Sequence, residues 1–177
     1  MNKDSVEAYV KSLFNEKQYV LIEKYVDEIL DIVSNVSIKG YSMNERILAI
    51  IYYVIRKECI PLSVNLILRN VRMSTINRIL KKYGLSIPLY NSEEKVKRYL
   101  SFLSEISNEI KENEKVISNE VFKVLSLING TVNELALICA VIFKLGIMKE
   151  SELCEITGLS DGTIRNYRRV LENLNVR

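Results

Sequence analysis

The sequence predicts an all-α protein made of two consecutive helical bundles. Only two prolines and six glycines interrupt its 177 residues, which suits long helices better than a turn-rich β fold. Apolar residues recur at steps of three and four along most of the chain, the spacing of one buried helix face. The pattern then restarts, an internal repeat of close to 90 residues that divides the chain into 1–87 and 88–177.

Taken in order, Asp4 or Ser5 caps a first helix that runs to about Lys17 on Val6, Tyr9, Val10, Leu13 and Phe14. A second helix, from about Tyr19 to Val36, keeps that spacing through Ile22, Val26, Ile29 and Val33. Gly40 ends the region. Ser42, with Glu45 three residues on, makes a capping box for a third helix over Met43–Glu58. That helix contains ILAIIYYVI (47–55) and is apolar nearly all round, so it is the expected centre of its bundle. Short helices near 63–69 and 74–83 follow, the second stopped by Gly84.

Residues 87–92, with the chain's other proline, read as the linker. Helices are then expected over 93–106, over 108–127 and over 132–145, the last again almost wholly apolar (VNELALICAVIFKL) and closed by Gly146. IKGYSMNE at 38–45 answers INGTVNE at 128–134, and STINRIL at 74–80 answers GTIRNYR at 162–168. Each bundle therefore holds about five helices.

The chain closes on KESELCEITGLSDGTIRNYRRVLENLN, Lys149 to Asn175. Leu153, Ile156 and Leu159 are apolar at steps of three, Gly158 supplies the bend, and Ser160 caps a second helix. Ile164, Tyr167, Leu171 and Leu174 form that helix's buried stripe. Gly162, Arg165, Asn166 and Arg169 are left on other faces. This is a helix-turn-helix, whose second helix enters the major groove in DNA-binding proteins. Many all-helical proteins that never touch DNA share the same pattern.

Composition excludes several classes. There is no histidine, which removes the commonest general base and metal ligand. Cys59, Cys139 and Cys154 form no closely spaced pair, so neither a zinc site nor a disulfide framework is expected. No cofactor is expected, and no glycine-rich phosphate loop or nucleophile motif suggests an enzyme. The most apolar run is too short for a bilayer span of about 20 residues, so no membrane partner is expected. The net charge of +3 is mild but uneven. Residues 41–90 carry eight basic and two acidic side chains, while 1–40, 91–130 and 131–177 are near neutral or acidic. Arg56, Lys57, Arg69, Arg72, Arg78, Lys81 and Lys82 supply most of that excess, which suits either a solvated helix surface or an acidic partner.

Two repeats, each with an all-apolar third helix and ending in a helix-turn-helix-like pair, resemble the cyclin-fold core of archaeal transcription factor B. The most specific match is GLSDGTIRNYRRVLENLNV at 158–176. It looks like the close of that family's second repeat, where a Thr-Ile/Val-Arg-Asn core precedes an aromatic and a leucine-rich turn. RKECIPLSVNLI at 56–67 looks like the family's joint between helices three and four.

The resemblance implies two tandem cyclin-like five-helix repeats that bind promoter DNA and TATA-binding protein. RNA polymerase or other initiation factors are further partners it admits, and the expected location is cytoplasmic, with the nucleoid. Arg165 matches the arginine that reaches DNA from the recognition helix, a position suited to a bidentate guanine contact. Thr163, Asn166, Arg168 and Arg169 are then phosphate contacts, and the basic stretch from Arg56 to Lys82 faces DNA or an acidic protein.

There are departures. With no cysteine pair or histidine and a first helix starting almost at Met1, the family's zinc ribbon and following loop are expected to be missing. Gly162 stands where the family often has valine, removing an apolar base contact and weakening the helix start by roughly 1 kcal/mol. Asp161 favours the helix dipole but repels phosphate. Cyclin folds also bind helices and peptides, so the same resemblance admits an interaction adaptor that has lost DNA binding.

Overall fold

The computed structural model describes residues 2–175; Val176, which ends the segment matched above, lies outside the described residues, as do Met1 and Arg177. Twelve α-helices and one 3-10 turn, and no strand, occur among the described residues. The chain is all-α. It divides into two compact units, Met1–Leu89 and Tyr90–Arg177.

In the first unit, α1 (Lys3–Leu13) starts two or three residues earlier than the expected cap at Asp4 or Ser5 would place it, because Asn2 accepts the Ser5 N–H at 2.9 Å and so caps the helix. It also ends earlier. Asn15 and Gln18 form a reciprocal capping box that opens a new helix, α2 (Glu16–Ile22). A 3-10 turn, Glu23–Tyr25, then leads into α3 (Val26–Asn35). The expected single helix over 19–36 is thus broken, although its apolar spacing runs on through the break. α4 (Met43–Glu58) has the Ser42–Glu45 capping box, with bonds of 3.1 and 2.8 Å. Eight of its residues are buried, against α3, α6 and α5. α5 (Asn65–Leu68) is a single turn, and α6 (Met73–Tyr83) buries Ile76, Ile79 and Leu80. Gly84 ends α6 at φ +72°, a left-handed conformation that glycine adopts without a Cβ clash.

In the second unit, Asn91 caps α7 (Ser92–Ile106). The expected helix over 108–127 is two helices, α8 (Asn108–Glu112) and α9 (Glu114–Leu127). Asn113 makes the break, its side-chain amide donating back to the Glu109 carbonyl at 2.8 Å. α10 (Glu134–Lys144), capped by Asn133, is the centre of this unit. Nine consecutive residues, Glu134 to Ile142, are buried, and the helix packs on α7, α9, α11 and α12. A helix buried on every side needs apolar residues on every side, which is why this stretch lacks a polar face. Buried Glu134 meets Lys95 at 3.8 Å. α11 (Glu150–Thr157) and α12 (Asp161–Asn175) complete the unit.

The two sequence echoes fare differently in detail. Gly40 and Gly130 both have positive φ and both precede the capped central helix. The Asn-Glu pairs following them are not in register, however, since Asn133 is the cap of α10 whereas Asn44 lies inside α4. The second echo is in register. Ser74 and Gly162 are each the second residue of their helix, and Ile76 and Ile164 are each fully buried two residues on.

Candidate nucleic-acid interface

Local chemistry makes the turn between α11 and α12. Gly158, at φ +74°, donates its N–H to the Cys154 carbonyl at 2.8 Å and ends α11. Leu159 is buried behind it, and the Ser160 hydroxyl accepts the Thr163 N–H at 3.1 Å to start α12. Thr157, which sequence reasoning passed over, is fully buried and ties the turn twice. Its hydroxyl donates to the Leu153 carbonyl at 2.7 Å and accepts the Leu159 N–H at 3.2 Å. Ile164 and Leu171 are buried against the unit, and the half-buried Tyr167 accepts the Asn133 N–H at 2.7 Å, linking α12 to the start of α10.

The six residues expected to face DNA are not equivalent. Asn166 and Arg169 are exposed, and neither has an ion pair or hydrogen bond with another described side chain. Thr163 is half-buried with its hydroxyl 2.7 Å from that of Ser160. Arg165 is half exposed, but its guanidinium is 3.1 Å from Asp161 and 3.7 Å from Glu150. Arg168 departs most from expectation. It meets Glu150 at 2.8 Å and lies over the Phe143 ring, 4.1 Å from its centroid. A half-buried arginine held by a carboxylate and an aromatic face fastens α12 to α10 and α11. A phosphate would have to displace both, so the structure places Arg168 as an internal clamp and not as an outward contact.

Gly162 has no steric reason to be glycine. Its φ is ordinary, and an added Cβ would meet only the Ser160 Oγ, at 3.9 Å. Gly162→Ala is therefore expected to stabilise the chain by roughly 0.5–1 kcal/mol through helix propensity and the unfolded state. A thermal melt checks this, and a lowered midpoint would contradict it.

The basic stretch also splits. Lys57 pairs with Glu28, is 3.4 Å from Glu58 and lies over Tyr53. Burial pulls its pKa down, but the hydrogen bond and charge of Glu28 outweigh burial and leave it raised. Arg56 lies over Tyr52, and Arg69 donates to the Leu13 carbonyl at 3.4 Å. Lys82 donates to the Lys39 carbonyl at 3.3 Å and sits over Tyr41. Arg72, Arg78 and Lys81 are exposed, with no ion pair to a described residue.

Two thiols are shifted upward. Burial pushes Cys139 up to about 12, and burial, then Glu150 and Asp161, raise Cys154. No helix among the described residues is long and apolar enough to cross a membrane. No protein-family model matches the chain, and no curated protein matches it.

Proposed function

We propose that this chain is a transcription-factor-B-like regulator of transcription initiation, built from two cyclin-like repeats and acting on promoter DNA, TATA-binding protein or both. The observation that carries the reading is the segment 158–175, which pairs the family's Thr-Ile-Arg-Asn core with a folded helix-turn-helix whose Arg165, Asn166 and Arg169 are exposed. Further support comes from element order. In each unit a long first helix, a broken second segment, a capped and buried central helix, and a short helix precede a last amphipathic one. This stretch has no histidine and no cysteine pair, so it supplies no zinc ribbon of its own. Regulation would follow from competing with, or working beside, a complete factor near the nucleoid.

One observation favours a second reading, an adaptor that has lost DNA binding: Asp161 and Glu150 both neutralise Arg165. Retention on immobilised TATA-binding protein, with and without promoter DNA, separates the two. A regulator that acts on DNA is held more strongly when promoter DNA is added, and Arg165→Ala, which removes one contact of the recognition helix, reduces that gain in part. An adaptor keeps full retention in that variant and gains nothing from DNA. Absence of retention in both conditions removes TATA-binding protein as a partner.

A further inference from the structure

We infer that the outward face of α6, built from Ser74, Asn77, Arg78, Lys81 and Lys82, is the chain's main contact for the phosphate backbone of duplex DNA. This rests on the reading above, that the chain acts on DNA, and moves the principal contact from the second unit's last helix to the first unit's.

The sequence contains no Asp or Glu between Glu58 and Glu93, an interval that holds Arg69, Arg72, Arg78, Lys81 and Lys82. Because α6 turns Ile76, Ile79 and Leu80 inward, the helical period puts the five named residues outward, and all five are exposed. Ser74 and Lys82 stand about 12 Å apart along the axis, a length over which B-DNA presents roughly seven phosphate charges. Lys82 also draws the segment before α4 to this edge. It bonds the Lys39 carbonyl and stacks on Tyr41, and the Lys39 side chain is itself exposed.

The register match between the two last helices sharpens the contrast. Arg165, Asn166 and Arg169 of α12 answer Asn77, Arg78 and Lys81 of α6. Where α12 begins with Asp161, which pairs Arg165, α6 begins with Met73. Nor does α5 carry a counterpart of Glu150, which takes both Arg165 and Arg168 in the second unit. On α12, therefore, carboxylates hold two of the three arginines and leave Arg169 as the one outward cation without an ion pair to a described residue, whereas α6 presents Arg78 and Lys81 with no such pairing.

The chemistry favours a nucleic acid over an acidic protein. Protein interfaces are anchored by buried aromatic or aliphatic side chains, and no large apolar side chain is exposed on α6. Serine, asparagine, arginine and lysine on one stripe are instead the donors that phosphate oxygens accept from.

The test is fluorescence anisotropy of the full chain with a duplex of arbitrary sequence over a salt series, and with labelled polyglutamate. Arg78→Ala/Lys81→Ala should reduce the magnitude of the log–log salt slope by about 1.8, two phosphate contacts, and weaken low-salt binding roughly tenfold. Arg165→Ala/Arg169→Ala should change both far less. Arg78→Lys/Lys81→Arg should restore binding, separating phosphate contact from damage to the helix. Duplex binding that survives the α6 pair and is lost with the α12 pair overturns this inference and leaves the DNA reading intact. Wild-type binding to polyglutamate but not duplex overturns it in favour of an acidic protein. No duplex or polyglutamate binding overturns the inference together with DNA contact.

Discussion

Ile138→Ala is expected to destabilise the second unit by about 2–5 kcal/mol, lowering its melting midpoint by about 10 °C or more. Ile138 lies in the middle of nine consecutive buried residues of α10 and has no solvent exposure. Neighbours on α7, α9, α11 and α12 surround that helix, so no single one can collapse into the space left by three carbons. The cost combines lost burial with a cavity, and wall helices held from several sides relax little. Calorimetry or a circular-dichroism melt reads it. Lys97→Ala, on the exposed side of α7 where its Glu93 pair is well solvated, should stay within about 0.5 kcal/mol of wild type. A midpoint shift of only a degree or two for Ile138→Ala would contradict the description of α10 as the unit's packed centre.

Glu150→Gln should move affinity and stability in opposite directions. The carboxylate holds Arg168 at 2.8 Å and lies 3.7 Å from Arg165, so it restrains two of the three arginines of α12. Neutralising it returns one unit of positive charge to the helix-turn-helix and leaves Arg165 with Asp161 alone. One added phosphate contact steepens the log–log salt slope by about 0.9 and tightens duplex binding several-fold at low salt. The clamp weakens at the same time, since glutamine accepts a hydrogen bond but carries no charge. A stability loss of about 1 kcal/mol is expected for this partly buried pair. Anisotropy and a thermal melt on the same sample give both numbers. If affinity falls along with stability, Glu150 supports the binding surface instead of screening it.

The all-helical class and the principal helix ends are written in local signals. Ser42 with Glu45, and the glycines at 84, 146 and 158, act within three or four residues of themselves, so the start of α4 and the stops of α6, α10 and α11 can be read without tertiary context, whereas α4 stops at Cys59, a non-glycine at φ +52°. The breaks at Asn15, at Glu23–Tyr25 and at Asn113 were hidden, because apolar spacing continues straight through them. An asparagine that interrupts a helix differs from one on its surface only in where its side chain bonds.

At the candidate interface, the turn and the exposure of Arg165, Asn166 and Arg169 follow from the spacing of Ile164, Tyr167 and Leu171. The fate of Arg168 does not. Glu150 lies 18 residues earlier and Phe143 belongs to another helix, and no periodicity connects either to it. The charge count over 41–90 is likewise blind to the difference between Lys57, held by Glu28, and Arg78, which is exposed.

The most direct measurement of the central proposal is fluorescence anisotropy of the wild-type chain with labelled promoter DNA, in the presence and absence of TATA-binding protein, across a salt series. A transcription-factor-B-like regulator binds in at least one of the two conditions, with affinity that falls steeply as salt rises. No salt-sensitive binding in either condition would contradict it.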